Sequence, residues 1–134
     1  MQEKPDLSAI REKLENIFKT YPAGNYCDVC AGAVAQELHK AGFESEIITL
    51  QNEEMPGQKG LRPPYIHGRK PDGQQFLLGQ TGFHQCNRIR RSQMSYYIDS
   101  LVYFHQGVEM MDEVTYFSLF LYPDGLQITH VRIV

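Results

Sequence analysis

The sequence predicts a single α+β domain, residues 1–134, in which N-terminal helices pack on a mostly antiparallel sheet. Two observations carry that expectation. Apolar residues recur at helical spacing over residues 6–41, and beyond residue 43 they gather into short runs rich in Ile, Val, Tyr and Phe. Tight turns such as Pro71-Asp72-Gly73 and Pro123-Asp124-Gly125 separate those runs, and such turns join antiparallel neighbours. The 134 residues suit one domain, and 42% hydrophobic with 22% charged residues is enough to build a core.

Residues 6–20 carry Leu7, Ile10, Leu14, Ile17 and Phe18 on one stripe with charges opposite, and read as the first helix. Tyr21-Pro22-Ala23-Gly24 ends it. A second helix over 26–41 aligns Ala31, Val34 and Leu38, with Gly42 where a left-handed residue closes a helix. Residues 43–50 read as a strand. The stretch 51–64 is polar, holds two glycines and three prolines, and is the longest segment without predicted structure. Residues 65–69 and 75–80 form a hairpin around Pro71-Asp72-Gly73. Ser92 caps a third helix with the stripe Met94, Tyr97, Ile98, Leu101 and Val102. A second hairpin, 113–122 with 126–134, closes the chain.

A net charge of −3 leaves no broad basic field, so nucleic acid is not an expected partner. The run Arg88, Arg90 and Arg91 reads as surface where a helix begins. No apolar run approaches the ~20 residues that cross a bilayer, so no membrane partner is expected. Residues 1–6 lack the layout of a signal peptide. Three cysteines cannot all pair within one chain, which fits a reducing compartment. The expected location is cytoplasmic, with export by a route that reads no N-terminal signal left open. No cofactor is expected.

The segment Gly24-Asn25-Tyr26-Cys27-Asp28-Val29-Cys30-Ala31 carries most of the chemistry. Asn25 as helix N-cap would put Cys27 in the first turn, facing the positive end of the helix dipole and N–H groups without a helical partner. Both favour thiolate, and the same N–H groups would serve as an oxyanion hole. If Asp28 were the cap, Cys30 would take the favoured place. A core role suits both cysteines as well, since a free cysteine packs as a small apolar residue.

A cysteine nucleophile needs a base. Among five histidines, His67 is the first choice: it opens a strand after the long loop, and Gly68 leaves room beside it. A half-buried strand histidine would look the same. His130, in the last strand, is the second choice. His39 reads as surface, His105 as a helix C-terminal cap, and His84 as part of a loop.

The order Cys27-x-x-Cys30-Ala31, then Leu38, Gly42 and Ile47-Ile48-x-Leu50, resembles the papain-fold toxin domains of bacterial polymorphic toxin systems. In those domains a cysteine opens a helix, a histidine opens a later strand, and an acid or amide follows on the next strand. The resemblance covers roughly residues 20–100. It implies a papain-like fold and a cysteine peptidase, deamidase or related acyl-transfer activity toward a protein substrate. Carried over, it implies Cys27 as nucleophile and His67 as general base. After Phe76-Leu77-Leu78 the chain has Gly79-Gln80 where the pattern has Asp or Asn, so Gln80 would orient the imidazole through its amide oxygen.

Two other readings use the same chain. Cys27-x-x-Cys30 with His84-x-Cys86 supplies three sulfurs and one imidazole, the donor set of a small zinc-binding domain. A protein-binding module without catalysis would use the aromatic-rich stretches around Tyr96, Tyr97, Tyr103 and Phe104 and at Tyr116-Phe117-Ser118-Leu119-Phe120-Leu121. Most of these read as core, and any left exposed in one patch would serve a partner protein or a homodimer. The acidic pair Glu53-Glu54 reads as a solvated loop tip.

Overall fold

The N-terminal apolar stripe becomes a helix in the computed structural model of the chain, which describes residues 4–22, 26–52, 65–78 and 82–134. A 3-10 turn at Ser8–Ile10 leads into α1 (Arg11–Thr20), and Leu7, Ile10, Leu14 and Phe18 are buried along one side. Helix α2 (Cys27–Lys40) buries Cys27, Cys30, Ala31, Val34, Ala35 and Leu38, positions three and four apart. Gly42 ends it as expected. Its φ is +90°, its N–H donates to the His39 carbonyl (3.0 Å), and the Phe43 N–H donates to that of Leu38 (3.0 Å). Those bonds satisfy carbonyls that the last helical turn leaves open.

Strands β1 (Glu46–Asn52), β2 (Ile66–Arg69), β3 (Gln75–Leu78), β4 (Phe83–Arg91), β5 (Met94–Ile98), β6 (Met111–Asp112) and β7 (Leu126–Ile133) make two antiparallel sheets. Five lie in the order β6-β5-β4-β1-β7, and β2 pairs with β3 as the expected hairpin. The class is therefore α+β. Alternation along the central strands sorts two cores. Ile89, Tyr96 and Ile98 pack with α1 and α2. Ile48, Leu50, Cys86 and Tyr97 pack on the other side, with Ile66 and Leu78 of the hairpin and with residues of α3 (Ser100–Gln106) and α4 (Glu113–Phe117).

Three expectations are corrected. Residues 83–91, read as a loop and a helix entry, are the nine-residue strand β4. Its polar side chains are met by partners from elsewhere in the chain: Asn87 donates to the Ala31 carbonyl (3.0 Å), and Arg88 and Arg90 both reach Glu46 (3.2 and 2.8 Å). Ser92 caps no helix but sits in a turn with φ 51°, and Met94–Ile98 is strand β5. The helical stripe there ran the end of a strand into the start of a helix, because β5 is buried on both faces. The residue that caps α3 is Asp99, whose side chain accepts from Val102 N–H (3.0 Å). The second hairpin is also replaced. Asp112 caps α4 through Thr115 (3.2 Å), Pro123–Gly125 is a 3-10 turn, and β7 pairs with β1. Tyr116, Leu119 and Phe120, at helix-like spacing, fill the core there.

Gly68 does not leave room beside His67. A Cβ at this position would lie 3.0 Å from Leu101 Cδ1 and 3.1 Å from Leu78 Cδ1. Both leucines are fully buried, so neither side chain has space to retreat. Gly68→Ala is expected to destabilise the fold by about 1–3 kcal/mol through overpacking. Urea unfolding measures it, and an unchanged midpoint would show that the leucines yield freely. No helix among the described residues is long and apolar enough to cross a membrane.

Candidate active site

Cys27 is the first residue of α2. The expected cap, Asn25, lies outside the described residues, and the N-cap position falls on Tyr26, which makes no side-chain cap bond. The first helical hydrogen bond runs from Cys30 N–H to the Tyr26 carbonyl (2.8 Å). The N–H groups of residues 27–29 therefore have no partner within the helix, and they present the positive end of its dipole.

What meets this thiol is the beginning of β4. Along β4, strand β5 pairs with Asn87 to Arg91, so among the described residues, 83–86 have a β-sheet neighbour on the β1 side alone. The open side is where the start of α2 comes in. There the sulfur of Cys27 meets the imidazole of His84 and the backbone N–H of Gln85. The Gln85 side chain is held away by Thr49 Oγ1 (3.1 Å).

Behind His84 stands a carboxylate. His84 Nε2 is 2.9 Å from Asp99 Oδ2, with both side chains buried. The other ring nitrogen, Nδ1, is buried and has no hydrogen-bond partner among the described residues, so it is the ring atom left open to the Cys27 thiol, whose titration is linked to that of the ring. Asp99 is fixed in turn. Its Oδ1 accepts the Val102 N–H (3.0 Å), and its Oδ2 accepts the Tyr116 hydroxyl (2.6 Å). The Tyr116 ring stacks flat on Tyr97, centroids 4.6 Å apart, so the hydroxyl is aimed by packing.

The electrostatics follow from these contacts. Burial is the largest influence on Cys27 and opposes its ionisation, but the hydrogen bond and charge of His84, with the Gln85 N–H, outweigh it. The thiol ends below its ordinary range. Burial likewise disfavours charge on His84, yet the bond to Asp99, aided by Cys27, lifts the imidazole to about 9. Burial would raise Asp99, but His84, Tyr116 and the Val102 N–H hold it below the usual carboxylate range. A lowered thiol beside a raised imidazole shifts the pair toward thiolate–imidazolium. Cys30 goes the other way: burial first, then the charges of Asp99 and Cys27, push it up to about 12. Cys86, fully buried, is also pushed well above its usual value.

His67 is not among the groups that act on the Cys27 thiol. His67 lies in β2 opposite Leu77, with its carbonyl accepting from Leu121 N–H (3.0 Å), while the imidazole at the thiol is that of His84. Gln80 lies outside the described residues, as do Glu53-Glu54 and most of the long loop; the group that orients the imidazole is Asp99. His130 is exposed on β7, opposite Thr49. His39 is exposed in the last turn of α2, and His105 bonds the Arg69 carbonyl through Nε2 (2.6 Å). Reading 83–91 as a strand would have exposed the missed pair, a histidine near the start of one strand and an acid at the end of its antiparallel neighbour. Among the described residues no group of three or more His, Cys, Asp and Glu is arranged to hold a metal ion. Comparison of the chain with protein-family models, curated proteins and solved structures gave no match.

Proposed function

We propose that this chain is a papain-like cysteine hydrolase or acyl-transfer enzyme, with Cys27 as nucleophile, His84 as general acid and base, and Asp99 as the group that orients and charges His84. One observation carries the reading: the buried chain Cys27–His84–Asp99, with the thiol held down and the imidazole held up. The layout of the family named above supports it, with His84 near the start of β4 and Asp99 just after β5 in the places first assigned to His67 and Gln80.

The chemistry follows from the arrangement. The Cys27 thiolate attacks an amide carbon, of a peptide bond or of a glutamine side chain in a partner protein. Its developing oxyanion is met by free N–H groups at the start of α2. The His84 imidazolium gives its proton to the leaving nitrogen, and a thioester remains on Cys27. Neutral His84 then takes a proton from water, water attacks the thioester, and the thiolate departs. Asp99 keeps the ring in register throughout.

Iodoacetamide alkylation of each cysteine, followed by mass spectrometry between about pH 5 and 9, tests the first step. Cys27 alone should react fast at the acid end. Release of ammonia or of new N-termini from a denatured protein substrate then separates deamidation from peptide cleavage, and Cys27→Ala should abolish either. A Cys27 that reacts as an ordinary thiol would falsify the assignment. A second reading, a non-catalytic protein-binding module, draws on β7: this edge strand is exposed along nearly its whole length and shows Ile128, Val131 and Ile133 to solvent. An inert Cys27 together with a concentration-dependent mass in sedimentation would favour that reading, with a homodimer.

A further inference from the structure

We propose that Cys27 and Cys30 form a redox modification site, in which hydrogen peroxide oxidises Cys27 and Cys30 captures it as a reversible disulfide across the first turn of α2. The proposal rests on the reading of Cys27 as an activated thiolate and adds the fate of that thiolate under oxidant.

Geometry selects the pair. Residues three apart on a helix have Cβ atoms about 5–6 Å apart, and a disulfide needs about 3.5–4.5 Å, so only a small closure is required. Cys27 can make it at little cost. It is the first residue of α2, no side chain among the described residues caps it, and its N–H has no partner within the helix. All three cysteines are buried, and what sets the order of events is position: Cys27 stands at the end of the helix beside His84, and Cys30 lies one turn deeper, packed in the apolar core. Cys86 is the less suitable resolver, since it sits in strand β4 and is fully buried.

The electrons balance. The Cys27 sulfur attacks one peroxide oxygen, the O–O bond breaks, and the departing hydroxide takes the His84 proton to leave as water. Cys27 is now a sulfenic acid. The Cys30 sulfur attacks it, the S–S bond forms, the S–O bond breaks, and the Cys30 proton leaves with the hydroxide as a second water. Two electrons have passed from the two sulfurs to peroxide, and a thiol reductant returns them by exchange. Without Cys30 the same thiolate would go on to sulfinic acid, which a thiol reductant does not reverse. The disulfide would thus silence the site while protecting it.

The test uses the full chain at neutral pH. It is labelled with iodoacetamide before and after excess hydrogen peroxide, then after dithiothreitol, with peptide mapping at each stage. The wild type should lose labelling at Cys27 and Cys30 together, lose two hydrogens in mass, and regain full labelling with dithiothreitol. Cys30→Ala and Cys30→Ser should label at Cys27 as fast as wild type before oxidant. After it they should carry added oxygens on Cys27 and recover no labelling. The proposal is overturned if these variants recover as wild type does, if the disulfide maps to Cys86, or if wild-type Cys27 gains oxygens instead of a disulfide. The labelling before oxidant separates the two ideas: an ordinary thiol at Cys27 removes both, while a low-pH thiolate with any of those outcomes removes only the disulfide.

Discussion

Replacing His84 with glutamine is expected to slow alkylation of Cys27 at pH 6 about tenfold for each unit by which the imidazolium lowers the thiol, because an unassisted thiol titrates near ~8.5 and is well under ~1% thiolate there. In the wild type the imidazolium and the Gln85 N–H overcome the burial of the sulfur. Without the imidazolium, burial acts almost alone, and the thiol should titrate at or above its ordinary value. Hydrolysis should fall by about 10²–10⁴-fold, the usual contribution of a positioned general acid–base. Glutamine is the informative substitution because its amide still donates to Asp99 and so keeps a buried carboxylate partnered. His84→Ala would strand that carboxylate, at about 3–5 kcal/mol, and confuse loss of chemistry with loss of fold. A His84→Gln protein that alkylates at the wild-type rate at pH 6, with His67→Ala slowing instead, would return the base to His67.

The second large effect is at Asp99, and it is an effect on stability as well as on chemistry. Asp99 is buried, bonded to His84, and caps α3. Asp99→Asn keeps an oxygen for the Val102 N–H but removes the charge that lifts the imidazole to about 9. A loss of about 3–5 kcal/mol near pH 5.5 is expected for breaking a buried ion pair. The pH dependence has a definite sign. Asp99 is held below its ordinary value, so its contribution is present above ~4 and fades as pH falls through its native value. His84 is raised, so its contribution is complete below ~6.5 and is lost as pH rises through about 9. The difference between wild type and Asp99→Asn should therefore be largest between about pH 4 and 6.5 and shrink toward pH 9.5. Urea unfolding at pH 5.5 and 9.5 measures it. A difference that stays flat across that range would mean the two groups carry no mutual charge interaction.

Much of this was legible in the residues because it is local. The stripes of α1 and α2, the closure of α2 at Gly42, the turn at Pro71-Asp72-Gly73 and the position of Cys27 in the first turn of a helix all depend on neighbours a few residues away. The α+β class followed from them. The segment 83–91 behaved differently. Its alternation is hidden by His84, Gln85, Asn87, Arg88 and Arg90, polar residues that ordinarily mark a loop. They occupy a central strand because each finds a partner far along the chain. Asp99 is 15 residues from His84, Glu46 is 42 from Arg88, and Ala31 is 56 from Asn87.

No window of sequence contains those partners, so local pattern reached α1, α2, the β2–β3 hairpin and the place of Cys27 at the start of a helix, and stopped there. The histidine beside Cys27 is set by long-range pairing across the fold. Burial makes an unpaired polar group costly, and pairing across the fold is what lets His84 and Asp99 sit in the interior beside Cys27.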